Sequence, residues 1–223
     1  MKIYISLFFL FFFTPSTLLA ETKPHRIHFT AQELESLQGH YSSIVGYVYI
    51  NVKGKQVSTN INGKYIQLIK MSNGYIYANY KFLRIFPISL GDMRFTLKTF
   101  DNKQQIVMHR KDKKKRRRKT QIVAQKFSPV TVPPLWKKRL GKYKASLKKG
   151  KSNIRKIRLA IKNGILVAFI NKIESPYPLL ALSGTQLFSP SSGHNKDQTI
   201  KLSTNDETIH LAYGKNHLIL EKL

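Results

Sequence analysis

From residue 39 onward the chain is written in short alternating runs of apolar and polar residues. The clearest, 47–52, reads Tyr-Val-Tyr-Ile-Asn-Val, and similar runs occupy 64–71, 74–80, 94–100 and 104–109. Each stops at a turn former: Lys53-Gly54, Asn62-Gly63, Asn73-Gly74 or Asp101-Asn102-Lys103. A period of two places alternate side chains on opposite faces, so this grammar predicts short antiparallel strands closed into a sandwich or barrel. Helical periodicity is confined to one place. Thr30-Ala31-Gln32-Glu33 has capping-box spacing and is followed by Leu34 and Leu37, which predicts a short helix.

The second half repeats the first. Leu37-Gln38-Gly39-His40-Tyr41 is answered, after a one-residue gap, by Leu140-Gly141-Lys142-Tyr143. The run ending at Lys53-Gly54 is answered by the run ending at Asn163-Gly164, and the segment 100–108 by 203–211. The order is preserved and the offset drifts only as loop lengths would make it, which marks an internal repeat. The repeat also places the basic run 110–119, because 208–213 and 217–223 read as a hairpin whose counterparts are 105–109 and 120–127. The basic run is then an enlarged hairpin tip. The linker falls in the proline-rich 128–136, where proline restricts both itself and its predecessor to extended backbone. The expected organisation is a leader over 1–20, an N-terminal segment with a short helix over 21–36, one barrel over 37–127, the linker, and a second barrel over 137–223.

Leu-(x)-Gly-x-Tyr, a strand, a Lys/Asn-Gly turn, and a late Asp/Asn-centred hairpin together resemble the lipocalin-like β-barrel accessory domain that follows the catalytic domain of many bacterial serine β-lactamase-like hydrolases. Trp136 ahead of Leu140-Gly141-Lys142-Tyr143 makes the second copy the better match. The resemblance implies two closed antiparallel barrels in accessory, binding or assembly roles, with the hydrolase domain absent.

Charge changes the picture more than hydropathy does. The chain has 39 Lys+Arg against 11 Asp+Glu, a net charge of +28. Such an excess speaks for polyanionic partners rather than for a fold. It is clustered: Arg110, Lys111, Lys113, Lys114, Lys115, Arg116, Arg117, Arg118 and Lys119 surround one acid, Asp112, and 137–162 carries further cations and no acid, among them Lys148, Lys149 and Lys151. A run of this kind repels itself unless it meets a polyanion. The first twenty residues have the form of a secretory signal: Lys2, an apolar stretch over 3–13, and a cleavage region ending at Ala20. They predict a bacterial periplasmic or secreted protein. With no cysteine, packing alone must hold the fold, and thiol chemistry and Cys-based metal sites are excluded.

Catalytic signatures are weak. Ser146-Leu147-Lys148-Lys149 matches Ser-x-x-Lys and Tyr77-Ala78-Asn79 matches Tyr-x-Asn, but the nucleophile needs its lysine one helical turn away and no Lys-Thr-Gly follows. Asp101, Asp206 and Glu207 fall in turns, where they act as turn formers. His25 and His28 have metal-ligand spacing without partners to complete a site, and His210 and His217 flank the last hairpin turn. Tyr47 with Tyr49, and Tyr75 with Tyr77, share strand faces, either as stacking platforms or as barrel filling. The sequence therefore predicts a non-catalytic protein without cofactor or metal, binding lipopolysaccharide, an acidic glycan, nucleic acid or an anionic membrane surface through Arg110 to Lys119, Lys148, Lys149 and Lys151. A cryptic hydrolase and a secreted nucleic-acid-binding effector are the alternatives.

Overall fold

The computed structural model describes residues 23–82, 86–89, 93–111, 118–149, 152–171, 176–190, 200–204, 208–213 and 215–223. It is nearly all β, with two closed eight-stranded antiparallel barrels in tandem. Barrel 1 follows a short strand β1 (Arg26–Ile27) and helix α1 (Ala31–Leu37). The strands that follow are β2 (Gly39–Ser43), β3 (Gly46–Lys53), β4 (Gln56–Ile61), β5 (Lys64–Met71), β6 (Ile76–Phe82), β7 (Phe86–Ser89), β8 (Arg94–Phe100), β9 (Lys103–Lys111) and β10 (Arg118–Phe127), all but β7 in the ring. The ring runs β2-β3-β4-β5-β6-β8-β9-β10 and returns to β2; β6 meets β8 through the single pair Ile76↔Phe95. β1 and β7 lie outside the ring, on β5 and β6. Helix α2 (Pro134–Lys138) then opens barrel 2, a meander of β11 (Gly141–Lys149), β12 (Lys156–Lys162), β13 (Ile165–Ile170), β14 (Tyr177–Ala181), β15 (Gln186–Phe188), β16 (Ile200–Thr204), β17 (Ile209–Tyr213) and β18 (Asn216–Lys222).

The hairpin turns are the ones the turn residues demand. Asn62-Gly63, Asp101-Asn102 and Asn163-Gly164 each supply two consecutive positive φ angles between directly paired strand ends. That is the backbone of the primed turns whose twist matches the strands they join. Thr30 caps α1 by accepting from the Glu33 N–H at 3.2 Å, while the Glu33 carboxylate accepts from the Thr30 N–H at 2.8 Å.

The two copies share one closure device. The hydroxyl of Tyr41 donates to the Leu37 carbonyl at 2.9 Å, and that of Tyr143 to the Arg139 carbonyl at 2.5 Å, so each buried tyrosine ties the first strand to the preceding helix. Two residues before each tyrosine stands a glycine with φ +137° (Gly39) or +143° (Gly141), and beside it the aliphatic stem of a last-strand lysine, Lys126 or Lys222. The carbonyl acceptor, the glycine and the tyrosine keep one spacing in both copies, so Leu37 answers Arg139 rather than Leu140, and the one-residue gap expected there disappears. The proline segment also does more than join the units: Val132 and Trp136 are buried in the barrel 2 core.

The interiors differ. Barrel 2 is filled by Trp136, Tyr143, Ile157, Leu159, Leu202, Leu211, Leu218 and neighbours, all essentially solvent-free. In barrel 1, Leu37, Tyr41, Val48, Ile50, Val57 and Ile76 are buried, but Ile61, Leu68, Phe95, Leu97 and Ile106, packed on the same cluster, are only partly so.

Two substitutions test the closure device. Tyr143→Phe removes the hydroxyl that donates to the Arg139 carbonyl and should lower unfolding free energy by about 1 kcal/mol. Gly39→Ala adds a Cβ 2.9 Å from the Lys126 Cε in a left-handed conformation and should cost about 1–3 kcal/mol. Urea denaturation reads both, and wild-type stability in either variant would remove the device from the account.

Candidate anion-binding site

Strand register on the outside of barrel 2 gathers cations that are far apart in sequence. Lys201 lies opposite Ala212, Ala212 opposite His217, and His217 opposite Lys149. One transverse row therefore crosses four strands, with a small residue at its centre. Neighbouring strands stand about 4.8 Å apart, so the terminal lysines are separated by roughly 14 Å along the backbone. The adjacent row on the same face runs Gln186, Ser203, His210. Together with Lys148 and Leu182 these residues border a cleft of about 750 Å3. No carboxylate lines it among the described residues. His210 and His217 do share this face but are not opposite one another: His210 faces Ile219 across the ladder. The His210 Nε2 lies 3.3 Å from the Thr208 Oγ1.

Lys149 reaches the row because β11 bulges between Leu147 and Lys149 where it pairs with β18. A bulge inserts one residue and re-aims the side chains that follow it. Ser146 is on this same strand, opposite Ile219, so its Ser-x-x-Lys spacing falls on extended backbone and not on a helical turn. Tyr77 and Asn79 belong to β6, in the other barrel.

The second cationic group is the β9–β10 hairpin. Lys119 is placed opposite Arg110 and Arg118 opposite Lys111, two successive like-charged pairs at its end. Directly facing like charges are destabilising, and Arg110, Lys111 and Lys119 are exposed. Of the remaining sequence-derived positions, Lys113, Lys114, Lys115, Arg116, Arg117 and Lys151 lie outside the described residues. So do the proposed leader, Asp206 and Glu207. The structure thus brings Lys148 and Lys149 together with Lys201, which the sequence did not single out, and leaves the hairpin cations on the other barrel. Compensation is scarce. Among the described residues one ion pair forms, Lys70 to Glu33 at 2.6 Å, and no three His, Asp or Glu side chains converge as a metal site would need.

Tyr47 and Tyr49 turn out to be neither free platforms nor barrel filling. They point outward from β3 against barrel 2, where Tyr47 packs on Ile165 and Val167 with Tyr49, Phe127 and Phe169 around them. The Tyr47 N–H donates to the Pro176 carbonyl at 2.5 Å, and the Ser42 hydroxyl to that of Pro190 at 2.6 Å. The Tyr47 hydroxyl accepts from the Asn163 amide at 3.3 Å and lies 2.9 Å from the His40 Nδ1. His40 stacks against Tyr47 with ring centroids 6.0 Å apart. Beside this seam, Tyr49, Asn51, Asn60, Tyr65, Lys162 and Asn163 border a second cleft of about 380 Å3. Tyr75, for its part, is covered by Arg94 and His109 on the outside of barrel 1.

The chain is a tandem pair of closed antiparallel β-barrels, and among the described residues the barrel 2 cleft is lined by cations and no carboxylate. It matches no protein-family model, no curated protein and no solved structure.

Burial at the seam lowers the pKa of His40 below its ordinary value of 6.5. The folded state therefore prefers the neutral ring. The resulting stability is complete above the unfolded value and is lost as pH falls through the lowered folded one. Stability should accordingly decline as pH falls below the ordinary histidine value of 6.5. His40→Gln should flatten that decline in urea denaturation series, and an unchanged pH profile would dissociate His40 from it.

Proposed function

We propose that this is an exported, non-catalytic binding protein that holds an anionic polymer against barrel 2. The observation that carries the reading is the row Lys201, Ala212, His217, Lys149: cations at both ends, a small floor between them, and no carboxylate in the described lining. Lysines are point charges on flexible stems and suit a repeating anion rather than one fixed planar group. The self-repelling Arg110, Lys111, Arg118 and Lys119 end of the first hairpin adds a second contact, useful only when an anion relieves the repulsion. The resemblance to accessory barrels of hydrolases fits a binding role, and the leader-like first twenty residues fit action in the periplasm or outside the cell. Lipopolysaccharide, acidic glycan and nucleic acid all satisfy the charge requirement.

Heparin and duplex DNA binding, measured against salt, test this. Affinity should fall steeply with ionic strength, and for DNA the slope of log K against log salt should shrink by about 0.9 for every lysine contact removed. Lys148→Ser, Lys149→Ser and Lys201→Ser combined should lower that slope by about 2–3 and leave the unfolding transition in place. Replacing Arg110, Lys111, Arg118 and Lys119 by serine should act additively, because the two groups sit on different barrels. Binding that survives both sets would remove the proposal. Turnover of chromogenic β-lactams or short esters, abolished by Ser146→Ala, would replace it with the hydrolase reading.

A further inference from the structure

We infer that barrel 1 is a calyx for the alkyl chain of an anionic amphiphile, with the chain inside the barrel and the charged head at the rim. The two barrels share a topology, yet the described interior of one is filled by buried side chains, whereas the other holds a partly open cavity of about 240 Å3 bordered by residues such as Leu37, Ile50, Ala78, Phe95, Leu97 and Ile106. An empty apolar cavity is costly to maintain, because its lining forfeits contacts on one side. Water does not fill such a space. An engineered apolar cavity of 150 Å3 stays dry and takes up benzene, so on the same scale this one accommodates on the order of ten carbon atoms.

The polarity of the interior decides the chemical class. Two lining residues carry hydroxyls, and both are already engaged: Ser43 Oγ donates to the Gly46 carbonyl at 2.7 Å and Thr59 Oγ1 to the Tyr49 carbonyl at 2.8 Å. The described lining therefore presents nothing for a polar ligand to bond. Only hydrocarbon fits without leaving a polar group unpaired.

Among the described residues the barrel has a closed end and an open one. Leu37, the last residue of α1, is fully buried at the closed end. At the other, Ile44 and Val45 in the β2–β3 turn border the cavity and are 47% and 41% exposed. The basic hairpin leaves the barrel at this open end. β10 pairs Ala124 with Ser43, and Val123 accepts from the Ile44 N–H, so Lys119 lies four residues beyond the rim of β2, roughly 13 Å along an extended strand. Three cations continue the cavity-lining face past the opening. Lys64 is two residues before Ile66 on β5, with its Nζ 5.5 Å from the Tyr80 ring centroid. Arg110 is two residues beyond Met108 on β9, and Lys119 stands opposite it. An apolar shaft with a cationic rim selects an alkyl chain ending in an anion. This site is separate from the barrel 2 cleft and does not depend on it.

The test uses the whole chain and displacement of a naphthylamine fluorescent probe by decanoate, decanol and decyltrimethylammonium. Decanoate should bind at least tenfold more tightly than decanol at low salt, with the gap narrowing as salt rises, and the cationic amphiphile should bind weakest. Lys64→Gln, Arg110→Gln and Lys119→Gln together should bring decanoate down to the level of decanol. Ala78→Phe, which fills the shaft, should reduce decanoate binding at least tenfold while heparin affinity stays unchanged; Ala124→Leu is the smaller filling variant. Displacement by decanoate that is equal in wild type and in a folded filled variant would overturn the inference. So would equal affinity for the three head groups, or no displacement at all. Heparin binding that weakens in the barrel 2 lysine variant, with decanoate binding intact, keeps the two sites distinct.

Discussion

A small barrel without disulfides stands or falls on the seam where its first strand meets its last. In both units that seam has the same construction: a positive-φ glycine lets a lysine stem from the final strand lie across the first, and a buried tyrosine next in line reaches back to the helix carbonyl. Burial raises the pKa of both the Tyr41 and the Tyr143 hydroxyl above the ordinary tyrosine value, so each remains a donor at neutral pH. The helix is thereby fixed as a stopper on one end of each barrel. The described cationic end of the β9–β10 hairpin, where Arg110 faces Lys119 and Lys111 faces Arg118, leaves barrel 1 at the end away from its helix.

How much of this was legible in the sequence depended on whether the signal was local. Asn62-Gly63, Asp101-Asn102 and Asn163-Gly164 announce their turns because few residues accept consecutive positive φ. The alternation of Tyr47, Val48, Tyr49 and Ile50 showed which side chains share a face. What covers each face is a tertiary fact, and the outward tyrosines met a second barrel that no pattern along β3 encodes. The Lys201–Lys149 row was invisible for a related reason. It requires the register of two hairpins and of the first-to-last strand closure, plus the bulge after Leu147, and no single segment carries that information. Nor could composition distinguish a filled barrel from a hollow one: Ile61, Leu68 and Ile106 read as core residues, and their partial exposure emerges only from how the opposite wall fits.

β3 joins these features in one element. Val48 and Ile50 border the barrel 1 interior, while Tyr47 and Tyr49, alternating with them, carry the contact with barrel 2. The side of the strand that would meet a chain and the side that positions the second barrel are separated by one backbone thickness. The seam is also where polar groups concentrate, with His40, Tyr47 and Asn163 linked in sequence.

The scarcity of acids has a consequence beyond recognition. A chain of net charge +28 with one ion pair among its described residues is folded against its own electrostatic field. Anything anionic that binds the native surface relieves that repulsion, and because the native state alone presents the assembled rows, the relief shifts the folding equilibrium itself. For such a molecule, assembly of the native state and capture of any counter-charged ligand would be one thermodynamic process, with the ligand a missing piece of the fold.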